Sequence, residues 1–137
     1  TLGSDSGGNL TLTATELVEL IGNGGNRLEI GTNSVGNAPS LTITTPKLVI
    51  KDGAQVETYS RGSGLGGRLI VNADSVELQG GYSFKFPGIN RDLFIPSGIL
   101  SSAYATGNAG EVAINTSRLN IQGGASISTF SLPQYLA

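Results

Sequence analysis

The chain has 137 residues, a length typical of one domain, and its 8 basic and 10 acidic side chains give a net charge of −2. It contains no cysteine and no histidine, which excludes disulfide staples, zinc fingers and thiol- or histidine-dependent catalysis. The slight acidity argues against a nucleic-acid partner, and no apolar run approaches the ~18 residues of a membrane span.

A short phrase recurs four times along the chain. It reads LTLTATELVEL from Leu10, LTITTPKLVI from Leu41, LIVNADSVEL from Leu69 and VAINTSRLNI from Val112. Repetition at intervals of a few dozen residues indicates supersecondary units that stack on one another. The last interval is the longest because it contains an insertion at about residues 81–96.

Each copy of the phrase predicts three short strands. Apolar residues alternate with polar ones, as at Leu10 and Leu12, which is the period of a half-buried strand. A second apolar pair follows a polar corner, as at Val18 and Leu20, and a glycine ends that strand. A third strand follows, and a turn rich in glycine, asparagine and serine then restarts the cycle.

Three strands per cycle predict a three-sided coil that buries its apolar side only by stacking on its neighbours. We therefore predict an all-β fold, a right-handed parallel β-helix (β-solenoid) of about four three-sided coils with one lateral insertion loop. The whole chain, 1–137, forms a single repeat segment with coils starting near residues 7, 38, 66 and 110. No two-residue Asn-Gly turn joins adjacent strands, which favours parallel pairing over hairpins.

Alignment of the copies predicts which residues become neighbours. Two apolar columns are expected: Ile43, Val71 and Ile114, and Ile50, Leu78 and Ile121. The end of the first strand predicts a hydrogen-bonded ladder: Thr13, Thr44, Asn72 and Asn115. Two ion pairs are expected at the corners: Arg68 with Glu111, and Glu16 with Lys47.

The main alternative to a structural role is catalysis by clustered carboxylates, which some polysaccharide-cleaving parallel β-helix proteins use. The candidate side chains are Asp52, Glu57, Asp74, Glu77, Arg91 and Asp92. Glu29 and Glu57 occupy the same position on successive coils, where two carboxylates form an acid–base pair, a cation site or a solvated pair beside Arg27.

No catalytic residue, metal site or cofactor is predicted. Gly62–Gly67, GSGLGG, has glycines at dinucleotide-fingerprint spacing, but a strand follows it where that site needs a helix, so we interpret it as a turn.

The insertion interrupts the repeat and concentrates aromatic side chains. Insertions in stacked repeats map to loops on one face, often the binding face. Aromatic rings beside charged groups either stack on sugar rings or fold back as a lid over the body of the protein. The predicted ligand or partner surface comprises Tyr82, Phe84, Lys85, Phe86, Arg91, Asp92 and Phe94.

The phrases LVIKDGAQVETYSRGSGLGGRLIVNADSVELQG and FIPSGILSSAYATGNAGEVAINTSRLNIQGGASISTFS carry a family resemblance. From about Gly7 to Thr129 the chain resembles the repeat region of cyanobacterial filamentous-haemagglutinin-like (two-partner secretion) exoproteins. The resemblance implies a secreted β-helical stalk in adhesion or surface matrix. The family's secretion domain, with its NPNG-type motif, is not in this sequence, so export is expected to belong to a longer parent.

These observations favour a non-enzymatic structural or adhesive segment of a secreted bacterial surface exoprotein, located outside the cell or at its surface. The alternative is a carbohydrate-binding or carbohydrate-cleaving protein. We expect self-association through the coil ends, because neither the polar lead Thr1–Ser6 nor the tail SLPQYLA resembles a cap. A polysaccharide or cell-surface partner is expected as well.

Overall fold

The computed structural model describes residues 8–23 and 25–132. This part of the chain contains twelve strands and no helix, which confirms the all-β prediction. The strands are β1 (Leu10–Thr13), β2 (Leu17–Ile21), β3 (Arg27–Thr32), β4 (Leu41–Lys51), β5 (Gln55–Ser60), β6 (Leu69–Gln79), β7 (Gly81–Lys85), β8 (Asp92–Pro96), β9 (Gly98–Ala103), β10 (Val112–Asn115), β11 (Arg118–Gln122) and β12 (Ser126–Ser131).

The strands collect into two parallel sheets and one antiparallel pair. Sheet A has six strands in the order β1-β4-β6-β10, with β2 also paired to β4 and β11 also paired to β6. Sheet B has four strands in the order β12-β9-β5-β3. The strands β7 and β8 form a separate two-stranded hairpin. Equivalent strands of successive copies are therefore hydrogen-bonded side by side.

One hydrophobic core is built from the apolar side chains of both parallel sheets. Leu41, Ile43 and Leu48 of β4 are fully buried in the same cluster as Val56 of β5 and Ile99 of β9. Alternation along each strand sends every second side chain into this core. Sheet B consequently turns Val56 inward and Glu57 to its opposite, outer face.

The prediction of a right-handed parallel β-helix with three-sided coils is wrong. The predicted corner between the first and second strands does not turn the chain into a new side in the central copies. There β4 and β6 each continue as one strand of 11 residues, and parallel pairing resumes directly after Pro46. The result is two parallel sheets joined by turns, with a third sheet that is antiparallel.

The insertion is a β-hairpin and not a loop, which corrects the second part of the fold prediction. Phe86–Ile89 forms the turn, with a backbone hydrogen bond of 3.1 Å from the Ile89 amide to the Phe86 carbonyl. Pro87 and Gly88 occupy its two central positions, and Gly88 has a φ of 83°. That pairing of proline with a positive-φ glycine is typical of a type II turn.

The predicted register is confirmed for the apolar columns and for one ion pair. Val71 lies opposite both Ile43 and Ile114, and Leu78 lies opposite Ile50 and Ile121. Arg68 Nε lies 3.3 Å from Glu111 Oε2. Repeat alignment alone therefore identifies cross-strand neighbours that are distant in sequence.

The second predicted ion pair, between Glu16 and Lys47, is wrong. Lys47 is in register with Leu17, one residue beyond Glu16. Its ammonium lies 3.9 Å from the carboxylate of Glu77 on the strand at its other side. The first copy is one residue longer through its corner, and this shifts the alignment.

Several sequence predictions concern parts of the chain outside the described residues. These are the first coil start near Gly7, the polar lead Thr1–Ser6 and the last five residues of the tail, 133–137.

Candidate functional site

The outer face of sheet B carries the most buried carboxylate of the described chain. Glu29 on β3 and Glu57 on β5 lie opposite each other, as the repeat alignment predicts. Their environments differ sharply, because the Glu57 side chain is 1% exposed whereas that of Glu29 is 42% exposed. The predicted stack of two carboxylates therefore consists of one buried and one solvated group.

Three side chains of the same chain donate hydrogen bonds to the Glu57 carboxylate. Arg27 Nη1 donates to Oε2 at 3.1 Å, and the Ser102 hydroxyl donates to Oε1 at 2.6 Å. The Tyr104 hydroxyl also donates to Oε1, at 3.1 Å. We call these four residues the Glu57 cluster. A buried carboxylate is tolerated when it is paired and hydrogen-bonded, and both oxygens of Glu57 meet this condition.

Burial and the neighbours of Tyr104 in the Glu57 cluster together shift the pKa of its phenol. Burial is the main cause that raises the pKa of the Tyr104 phenol above its ordinary value of 10.0, and the charge and hydrogen bond of Glu57 raise that pKa further. Hydrogen bonding with Ser102 and the charge of Arg27 act in the opposite direction. The phenol therefore keeps its proton and remains a donor to Glu57 throughout the neutral range.

The geometry of the Glu57 cluster favours positioning over acid–base chemistry. Arg27 Nη1 bridges the two carboxylates, at 3.1 Å from Glu57 Oε2 and 3.9 Å from Glu29 Oε2. Both oxygens of Glu57 are occupied by donors from its own chain, so its carboxylate is not presented to a substrate. The cluster instead fixes Arg27 of β3 against Ser102 of β9 and Tyr104, which directly follows β9.

The other carboxylates considered for catalysis do not converge on Glu57. Glu77 on β6 pairs with Lys47 in sheet A, and Asp74 lines a groove on that same sheet. Asp92 belongs to the hairpin, where it lies opposite Lys85. Among the described residues there is no group of three or more aspartate, glutamate, cysteine or histidine side chains that would hold a metal ion.

The hairpin brings some of the predicted surface residues together and separates others. Tyr82 and Phe84 are on one face of β7, with ring centroids 6.1 Å apart and an angle of 24° between the rings. Lys85 lies opposite Asp92, and these two residues share the other face of the hairpin with Phe94. Phe86 is the first residue of the turn and is half exposed, and Arg91 lies between the turn and β8. This hairpin surface remains a prediction.

A groove of about 640 Å³ crosses sheet A at the level of Pro46 on β4. It is lined by Ala14, Thr44, Thr45, Pro46, Asn72, Ala73, Asp74, Asn115, Thr116 and Ser117. Three of the four residues of the predicted polar ladder lie here in register, and Asn115 Nδ2 donates to Asn72 Oδ1 at 2.9 Å. This side-chain bond along the ladder supports the pairing of β6 with β10 beside the groove.

A second group on the outer face of sheet B was missed by the sequence analysis. The Arg61 guanidinium carbon lies 4.8 Å from the centroid of the Tyr59 ring and 5.8 Å from that of Tyr104. Phe130 meets Tyr104 edge to face, with centroids 5.4 Å apart and an angle of 83° between the rings. We call Tyr59, Arg61, Tyr104 and Phe130 the Tyr–Arg platform.

A signal for this platform exists in the sequence. Glu57, Tyr59 and Arg61 alternate with Val56, Thr58 and Ser60. In a strand such spacing sends the first three side chains to one face. The sequence predictions were based on the apolar columns, which identify only the inward face of each strand.

Comparison with known proteins leaves the family open. The chain matches no protein-family model, no curated protein and no solved structure. The described residues include no helix with the length and apolar character needed to cross a lipid bilayer.

Proposed function

We propose that this chain is a non-enzymatic structural and adhesive segment of a secreted bacterial surface exoprotein, and that it associates end to end through its outermost strands. The resemblance of the repeats to filamentous-haemagglutinin-like exoproteins supports the surface location. The saturated carboxylate of Glu57 supports the absence of catalysis. The proposal of association is based on the exposure of the outermost strands at the two ends of sheet A.

The apolar columns of sheet A are buried in the middle of the sheet and exposed at one end. Val18, Leu48, Val76 and Leu119 form one column across four strands. Leu48 and Val76 are 0% and 1% exposed, whereas Leu119 on the outermost strand β11 is 46% exposed. Ile121 likewise ends the second column with 41% exposure. The outermost strand thus presents core-type side chains that nothing in the described structure covers.

The opposite end of sheet A is also open to pairing. Leu10 on β1 is 38% exposed and continues the inward column of Leu41 and Leu69. An outermost strand presents unpaired backbone donors and acceptors, which act as a template for another strand. A second copy that docks its β1–β2 end on the β10–β11 end would pair these groups and place Val18 and Leu20 of one copy on Leu119 and Ile121 of the other. Such heterologous contacts extend without closing and produce linear assemblies.

This association is tested by placing charges on the exposed column. We expect the mass of the parent chain in sedimentation experiments to rise with concentration. Leu119→Lys with Ile121→Lys should remove that rise, because two ammonium groups would have to enter the new core. The matched control is Asn120→Lys with Gln122→Lys, which adds the same charge to the other face of β11 and should associate more strongly than the core-facing variant.

Circular dichroism of each variant verifies that the strands are intact. A parent chain that stays monomeric at millimolar concentration would contradict the proposed association. Equal association of the core-facing variant and the parent would contradict it as well.

A further inference from the structure

Arg61 differs from most cations of the described chain in the kind of partner it has. Arg27, Lys47, Lys51 and Arg68 each lie within 4 Å of a carboxylate. Within the described residues no carboxylate lies that close to Arg61, whose guanidinium contacts two tyrosine rings instead. The side chain is exposed, and the nearby charge of Glu57 is already paired with Arg27. Arg61 therefore offers an uncompensated positive charge.

The Tyr–Arg platform is held in place before any ligand arrives. Tyr104 is fixed at its hydroxyl by Glu57 and at its ring by Phe130. The Tyr59 ring lies directly on Gly31 of the neighbouring strand, where a Cβ atom would come within 2.6 Å of ring carbons. A cation over aromatic faces gains electrostatic attraction from both rings. Preorganisation of this kind lowers the entropy cost of binding.

The chemistry of the platform indicates the class of ligand. A guanidinium binds a carboxylate through two parallel hydrogen bonds, because their planar geometries match. The rings of Tyr104 and Phe130 are half-buried, and their solvent-exposed parts offer apolar contact surface to a sugar ring. The platform lies on the outer face of a sheet, and small-molecule sites are concave and enclosed, so an extended polymer fits this surface better.

We propose that the Tyr–Arg platform binds the carboxylate of a uronate residue in an acidic polysaccharide. Arg61 holds the carboxylate, and Tyr104 and Phe130 contact the sugar ring. This inference deepens the adhesive part of the proposed function and rests on it. It does not depend on end-to-end association, since the platform is on sheet B and the exposed columns are on sheet A.

Binding of polygalacturonate to the whole chain, measured by titration calorimetry, tests this inference. We expect Arg61→Gln to weaken binding by about tenfold or more, as the loss of a charge-assisted contact implies. The control removes an exposed arginine from another surface, Arg118→Gln at the end of sheet A. It should keep the parent affinity within about twofold, and raised salt should weaken the binding of both the parent and this control.

Three results would overturn the inference. One is a parent chain that does not bind polygalacturonate, and another is Arg61→Gln binding as tightly as the parent. The third is equal binding of a neutral galactan or of sulfated dextran, which would exclude uronate recognition. Sedimentation of the same samples separates the two proposals: loss of uronate binding with intact association refutes only this inference, and a monomer that binds through Arg61 refutes only the association.

Discussion

Replacement of Val71 by aspartate should unfold the protein at room temperature or bring it close to unfolding. Val71 is fully buried between Ile43 and Ile114, at the centre of sheet A. The substitution removes apolar burial and places an unpaired carboxyl in the core, which together cost roughly 4 kcal/mol or more. This is a large fraction of the stability of an ordinary domain. Urea unfolding followed by circular dichroism measures the loss.

The matched control for Val71→Asp is Asn72→Asp on the adjacent position of β6. It introduces the same carboxylate on the opposite face and keeps the oxygen that accepts from Asn115. We expect its free energy of unfolding to stay within about 0.5 kcal/mol of the parent, as for most surface changes. Equal unfolding midpoints for Val71→Asp and the parent would show that the core assignment is wrong.

Replacement of Glu57 by alanine should cost roughly 3 kcal/mol. Removal of one partner from a buried ionic network leaves the other members without their acceptor, and here these are Arg27, Ser102 and Tyr104. Glu29→Ala is the matched control, because it removes the same side chain from the opposed position on β3, where the carboxylate is solvated. That change should shift the free energy of unfolding by less than about 0.5 kcal/mol.

Whether Glu57→Ala lowers or raises the stability of the fold distinguishes a structural carboxylate from a functional one. Residues kept for catalysis often cost stability, so their removal tends to stabilise the fold. An increase in the unfolding midpoint of Glu57→Ala would therefore contradict the positioning role and return Glu57 to the catalytic candidates.

The sequence predicted which strands pair with each other, but it did not predict how many sheets each repeat contributes to. Alternating apolar residues identify inward positions in each copy, and their alignment gives the register of Ile43, Val71 and Ile114. The segment around Thr45 and Pro46 has turn-forming residues, yet β4 continues through it. Its parallel neighbours on both sides hold the backbone extended, and this tertiary effect overrides local propensity.

The hairpin was missed because residues 86–91 connect its strands, whereas the sequence analysis looked for a two-residue Asn-Gly connection. Its signal was present, since Pro87-Gly88 is a strong turn dipeptide between two alternating segments. The type II turn reverses the chain between β7 and β8, so the two strands of the insertion pair with each other.

The site on sheet B was predictable only in part. The opposition of Glu29 and Glu57 followed from the repeat alignment. The burial of Glu57 depends on Ser102 and Tyr104, which lie 45 and 47 residues further along the chain, beyond the insertion. Spacing within one copy carries no information on such distant donors, and the Tyr–Arg platform depends on the same segment.

Cysteine cross-linking tests the proposed end-to-end association most directly. Ile21 and Gln122 occupy the same column at opposite ends of sheet A, and the chain has no native cysteine. In a head-to-tail assembly Ile21→Cys of one copy should lie opposite Gln122→Cys of the next, at a strand spacing of about 4.8 Å that a disulfide spans. Mild oxidation of the double variant should yield a ladder of covalent multimers on a denaturing gel. The out-of-register pair Thr11→Cys with Gln122→Cys should yield few products beyond dimers, and a double variant that stays monomeric, or equal ladders from both pairs, would contradict the claim.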